Sequence, residues 1–112
     1  MKISRVKEIL DAKVLTGEDL LDQEVFSACG SDLMSDVLAY VKHQGLLLTG
    51  LNNLQVVRTA DMMDIIAIVF VRGKVPGEDL IELAAKKDMV IMTTEDPLYT
   101  ACGKLYANGL VR

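Results

Sequence analysis

Residues 65–71 read IIAIVFV, the longest uninterrupted apolar run in the chain. It is far shorter than the ~20 residues a helix needs to cross a hydrocarbon layer. Its Ile66–Val71 portion is continuously apolar and largely β-branched, which predicts a central strand buried on both faces. A strand without a wet side needs cover above and below, and a mainly parallel sheet flanked by helices supplies it.

The rest of the sequence provides strands and helices in alternation. Ser4–Asp11 reads as a short helix with Val6, Ile9 and Leu10 on its apolar side, and Ala12–Leu15 as a strand. Thr16–Gln23 is an acidic connection whose Leu20 and Leu21 dip back to the core. Glu24–Cys29 reads as a strand and Asp32–His43 as a helix, with Leu33, Met34, Val37, Leu38 and Val41 on one stripe. Ser31 is its expected N-cap, Asp32 suits the positive end of its dipole, and Gly45 is its expected stop.

Leu46–Leu48 is the next strand, Thr49–Asn53 a polar turn, and Leu54–Met63 a helix with Leu54, Val57, Ala60 and Met63 inward. After the central strand come Arg72-Gly73-Lys74 and a helix that starts near Pro76. Glu78 and Asp79 lie in its first turn and Lys86 and Lys87 in its last, as the dipole favours. Met89–Met92 is a strand, Thr93–Asp96 its exit turn, and Asp96-Pro97 the cap and first residue of a last helix closed by Gly109. The expected fold is a three-layer α/β domain over residues 1–112, with a mainly parallel sheet of about five strands.

Bulk properties narrow the function. A chain of 112 residues suits one domain, and 51% apolar against 25% charged residues excludes disorder and favours a two-sided buried sheet or a self-association surface. A net charge of −4 argues against a nucleic-acid partner. The start, MKISRVKEIL, has no apolar signal region and no membrane span is visible, so a cytoplasmic location is expected. Cys29 and Cys102 are too few for a zinc cluster and are expected as free thiols.

Catalytic and cofactor patterns are absent from the string. Around Gly73-Lys74 a phosphate-binding loop would need a glycine where Ile68 stands and a hydroxyl where Val75 stands. No GxGxxG occurs, and no cofactor is expected. His43, the single histidine, has Ala39 and Leu47 at the i−4 and i+4 positions, which suits a solvated helix terminus and not a metal site. Cys29, at a strand end, is the better nucleophile candidate of the two cysteines. Glu18, Asp19, Asp22 and Glu24 lack the spacing of a calcium loop.

Position is the remaining signal. In a parallel sheet the segments Cys29–Asp32, Thr49–Asn53, Arg72–Lys74 and Thr93–Asp96 all fall on the carboxyl edge, where open α/β sheets bind ligands. Ser31, Asp32, Thr49, Gly50, Asn52, Asn53 and Thr94 could position a small molecule there, and Arg58, Arg72 and Lys74 could neutralise an anion. The competing reading is purely structural: Gly50 and Gly73 serve tight turns, the asparagines cap a helix, and the basic residues are solvated.

Four blocks carry a family resemblance: SDLMSDVLAYV (Ser31 to Val41), LLLTGLNNLQVVRTADM (Leu46 to Met62), IVFVRGKVP (Ile68 to Pro76) and ACGKLYANGL (Ala101 to Leu110). In this order they resemble the small stand-alone DRTGG-domain proteins of anaerobic bacteria and archaea, which are similar to the N-terminal domain of HPr kinase/phosphorylase. The string DRTGG itself does not occur, and Thr49-Gly50-Leu51-Asn52-Asn53 is its nearest counterpart. The resemblance implies a regulatory α/β domain, of the kind found in CBS-domain pyrophosphatases and phosphotransacetylases, commonly dimeric and without the kinase's catalytic half. It also implies a link to redox metabolism.

The expected function is therefore a non-enzymatic regulatory or interaction module, a homodimer sensing a small anionic or nucleotide ligand at the carboxyl edge. The alternatives are a docking subunit for an oxidoreductase, or an enzyme using Cys29 with Ser31 and Asp32 beside it.

Overall fold

The apolar run from Ile65 forms the middle of a five-stranded sheet in a computed structural model that describes residues 1–40 and 43–112. In chain order the elements are α1 (Ile3–Leu10), β1 (Lys13–Thr16), a 3-10 turn (Glu18–Leu20), β2 (Ser27–Gly30), α2 (Met34–Tyr40) and β3 (Gly45–Thr49). They continue as α3 (Leu54–Met62), β4 (Ile65–Phe70), α4 (Glu78–Lys86), β5 (Val90–Thr93) and α5 (Leu98–Ala107). The strand order is β1-β5-β4-β3-β2, with β2 to β5 mutually parallel and β1 antiparallel at one edge. This is the mainly parallel three-layer sheet that the apolar strand required.

Two cores lie on opposite faces, and successive strand residues divide between them. Leu46, Leu48, Val69, Val90 and Met92 pack with Ile3, Val6 and Leu10 of α1 and Ala101 and Leu105 of α5. Leu47, Ile68, Phe70 and Ile91 pack with Val37 of α2, Val56, Val57 and Ala60 of α3, and Leu80 and Ala84 of α4. The pleat sends alternate side chains to opposite sides, so a string without hydrophobic alternation still builds two distinct cores. Full burial of such side chains contributes ~1.5–3 kcal/mol each.

Several boundaries differ from the sequence reading for identifiable reasons. The strand expected at Glu24 begins at Ser27, because Lys2 and Glu24 form an antiparallel bridge and Val25 donates its N–H to the Met1 carbonyl at 2.8 Å. The helix expected from Asp32 begins at Met34. Val37 is fully buried and Met34 half-buried, but Leu33 and Leu38 are 59% and 46% exposed; Val41 lies outside the described residues. His43 stands in a turn with its side chain 77% exposed, its Nδ1 facing the Asp64 carboxylate at 2.8 Å and its ring stacked on Phe26.

Gly45 is the first residue of β3 and not the helix stop. Gln44 takes the left-handed conformation (φ +52°), as Asp11, Asp64 and Asp88 do just before or near the starts of β1, β4 and β5. Asp adopts this region more readily than most residues because its short side chain bonds locally. Pro97 holds the cap position of α5 in place of Asp96, whose carboxylate reaches forward to Lys104 Nζ at 2.8 Å. Among the described residues no helix is long and apolar enough to cross a membrane.

Candidate functional site

Because β2 to β5 are parallel, Gly30, Thr49, Phe70 and Thr93 all end on one edge of the sheet. Backbone bonds close that edge strand by strand. Ser31 N–H donates to Leu48 O (3.0 Å), Val71 N–H to Thr49 O (3.0 Å), and Thr94 N–H to Phe70 O (2.9 Å).

After β4 the chain reverses in a turn in which Arg72 (φ +59°) and Gly73 (φ +68°) both have positive φ, closed by Lys74 N–H to Val71 O at 3.2 Å. Two positive φ angles in succession are the signature of a type I′ turn, and a non-glycine at its first central position is held against its preference. The restraint comes from the exit of β5: Arg72 N–H donates to Asp96 O (2.9 Å), Gly73 N–H to Thr94 O (2.8 Å), and Thr93 Oγ1 to Lys74 O (2.7 Å).

That turn lays the Arg72 guanidinium across Gly50, in the space a Cβ would occupy. Asp32 completes the group. Its Oδ1 accepts from the Gly50 N–H at 2.7 Å and the Thr49 hydroxyl at 3.0 Å, and its Oδ2 faces Arg72 Nη2 at 3.7 Å. The Thr49 hydroxyl also accepts from the Leu51 N–H at 3.1 Å. The Gly50 N–H holds the Asp32 carboxyl below the usual carboxylate range; burial opposes this, and the Thr49 hydroxyl and Arg72 assist it. Asp32 thus serves the ends of β3 and β4, and not the α2 dipole that the sequence suggested.

The other candidate residues divide into internal and exposed groups. Thr94 is buried, and its hydroxyl donates to the Leu10 carbonyl at 2.7 Å, tying the end of β5 to the end of α1. Ser31 Oγ accepts from the Leu33 N–H at 3.0 Å in its own turn and does not cap α2. Asn52, Asn53, Arg58 and Lys74 are exposed, and Asn53 precedes α3 without a side-chain cap bond. So the structure brings Asp32, Thr49, Gly50 and Arg72 into one cluster and turns Thr94 inward.

A cavity of about 230 Å³ opens elsewhere, on the α1/α5 face between β2, α5 and the C-terminal residues, lined by Ala28, Gly30, Leu48, Cys102, Leu105 and Tyr106 among others. Its sequence trace is faint: Gly30 is small where Cys102 Sγ takes the space of a Cβ. Burial pushes the Cys29 thiol up, with Asp36 and Cys102 adding to it, and burial pushes Cys102 up as well. Among the described residues no three His, Cys, Asp or Glu side chains converge as a metal site.

The sequence matches the DRTGG domain over residues 5–107. In structure it is similar to the CBS and DRTGG domains of the regulatory region of Clostridium perfringens pyrophosphatase, a crystal structure complexed with the activator diadenosine tetraphosphate. The TM-score is 0.76 at 16% identity, and the match covers 93% of this chain. The present chain spans 45% of that longer chain, so the likeness is one of fold. No curated protein matches the sequence.

Proposed function

The chain belongs to the DRTGG-domain family, and from that premise we propose that it is a regulatory module sensing a small anionic ligand of the nucleotide or phosphate class at the carboxyl edge of its sheet. The supporting observation is the convergence of the Thr49 hydroxyl, the Gly50 N–H and the Arg72 guanidinium on one carboxylate-sized position. A backbone N–H, a hydroxyl and a planar guanidinium are the donors by which proteins hold phosphate and carboxylate oxygens. Lys74, exposed two residues beyond Arg72, adds positive charge to the same turn. The similar pyrophosphatase region is complexed with a dinucleoside polyphosphate activator, which agrees with this ligand class.

The mechanism is a population shift: ligand bound at the edge favours one packing or association state over another. Self-association is supported by apolar residues left exposed on segments bordering β2. Phe26, Leu33 and Leu38 lie before and after it in sequence, and Tyr106 and Val111 line the cavity beside it. The proposed module is a cytoplasmic homodimer, and an oxidoreductase is the partner proposed for it. Calorimetric titration with inorganic phosphate, pyrophosphate, ADP and diadenosine tetraphosphate tests the ligand: binding of at least one, lost in Arg72→Ala, is expected. Failure of all four to bind overturns the sensor reading, and a monomer by light scattering at micromolar protein overturns the dimer.

A further inference from the structure

The donors at the carboxyl edge already hold an anion, and it is the protein's own. Asp32 Oδ1 takes the Gly50 N–H at 2.7 Å and the Thr49 hydroxyl at 3.0 Å, while Oδ2 faces Arg72 at 3.7 Å. We propose that Asp32 is a built-in occupant of a phosphate site, and that an external phosphate group binds by displacing it and releasing the segment from Ser31 into α2. This rests on the sensor reading above and names how that site is regulated.

Donors and occupant belong to different parts of the fold. Thr49 and Gly50 are buried at the end of β3, and Arg72 leaves β4, the central strand of the sheet. The Arg72 main chain is fixed by its bond to Asp96 O, the Gly73 N–H by Thr94 O, and the Thr49 hydroxyl by the Leu51 N–H. None of these anchors involves Asp32, so the main chain that carries the donors keeps its place when it leaves. Asp32 itself follows the edge strand β2 and precedes a seven-residue helix. Around the Asp32 carboxylate, 48% of the side chain is exposed, and 46% of Arg72, so an anion from solvent reaches both.

Charge selects the ligand. Asp32 is held in its ionised form, so at neutral pH it competes as a full carboxylate. A tethered competitor acts at an effective concentration of roughly millimolar or more, which a free carboxylate of equal charge does not overcome. A phosphate monoester carries about −1.5 to −2 charges and three acceptor oxygens, and gains more from Arg72 and Lys74 than a carboxylate does. Of the neighbouring carboxylates, Asp96 is paired with Lys104 and Glu95 lies over Gly73, which leaves Asp32 as the occupant of the Gly50–Arg72 cluster among the described residues. The released segment carries Leu33 and Leu38, two of the exposed apolar residues beside β2, so displacement is read out on the surface supporting association.

Inorganic phosphate and ADP, with acetate for comparison, are titrated into wild type, Asp32→Asn, Asp32→Ala and Asp32→Ala/Arg72→Ala, following the Gly50 amide resonance. Removal of the occupant is expected to tighten phosphate binding by about tenfold or more, because apparent affinity scales with the vacant fraction of sites. The double variant is expected to lose that gain, acetate to bind more weakly than phosphate, and hydrogen exchange across residues 31–40 of the wild type to accelerate on adding phosphate. If Asp32→Ala does not fold, Asp32→Asn, which loses the charge facing Arg72 and so weakens the occupant without removing it, is read for phosphate binding tighter than in wild type. Equal phosphate affinity in wild type and the Asp32 variants, or unchanged exchange, overturns the displacement while leaving the sensor reading standing. Absence of phosphate and ADP binding in every protein overturns the displacement, and overturns the sensor reading too when pyrophosphate and diadenosine tetraphosphate also fail to bind.

Discussion

Gly50 and Arg72 face each other so closely that the arginine's guanidinium fills the place of the missing Cβ. Gly50 is therefore needed for close approach, since its φ is not in the left-handed range, whereas Gly73 beside Arg72 is in a turn with φ +68°. The contact joins the ends of β3 and β4 and aims Arg72 at Asp32.

Gly50→Ala is expected to move the arginine and not the backbone, because the obstructing atoms end a flexible side chain. The cost is about 1 kcal/mol or less, the scale of a half-exposed ion pair. In an Arg72→Ala background it should nearly vanish, and urea unfolding of the double-mutant cycle reads the difference. An equal cost in both backgrounds shows that the two residues are not coupled.

Acid should weaken the fold through Asp32. Its folded pKa lies below the unfolded value of about 3.9, so its contribution is fully present above that pH and is lost as pH falls through the folded value. Unfolding free energies of wild type and Asp32→Asn are expected to differ by a constant amount from neutrality to about pH 5 and to converge below about pH 4. The gap should also shrink with added salt, since nearly half of the side chain is exposed. A gap that widens on acidification contradicts the assignment.

Arg72 separates conformation from charge. Both Arg72→Ala and Arg72→Gly remove the guanidinium, but only glycine relieves the φ of +59°. Left-handed strain of ~1–2 kcal/mol less the ~0.4–1 kcal/mol of extra unfolded-chain entropy leaves Arg72→Gly more stable than Arg72→Ala by roughly 0.5–1 kcal/mol. Denaturant midpoints in the reverse order would show that the turn relaxes when the side chain is lost.

Thr94→Val keeps the shape of a buried residue and removes the hydroxyl that donates to Leu10 O at 2.7 Å. The expected cost is about 1–2 kcal/mol, with faster hydrogen exchange at the end of α1. A neutral substitution would mean that this carbonyl finds water instead.

Both cysteines should alkylate more slowly than an unhindered thiol at pH 7–8, because burial raises their pKa and lowers the thiolate fraction. Iodoacetamide kinetics on Cys29→Ser and Cys102→Ser resolve the two sites. A fast-reacting Cys29 would revive a nucleophilic role for it.

Much of the fold is legible along the string, and the exceptions have specific causes. The helix beginning at Leu54 is found where its turn and periodicity place it, and the apolar strand is central because nothing along it tolerates water. The stripe assigned to α2 is only partly buried: Val37 faces the core, but Leu33 precedes the helix and Leu38 is exposed. Helical periodicity shows which residues share a face and says nothing of how much of that face a short edge helix can cover.

At the carboxyl edge, adjacency in sequence placed Ser31, Thr49, Thr94 and Arg72 in equivalent positions at strand ends. Their roles differ because each neighbouring strand offers a different partner. Thr94 is drawn inward by the end of α1, 84 positions away, and Asp32 is drawn to β3 instead of its own helix. The sequence by itself determined the alternation of elements and the edge on which the polar turns gather, since periodicity, burial demand and turn chemistry act over a few residues. Only the tertiary structure decided that the Gly50 N–H, the Thr49 hydroxyl and Arg72 converge on Asp32, because hydrogen bonds and ion pairs act over a few ångströms between segments that strand pairing alone brings together.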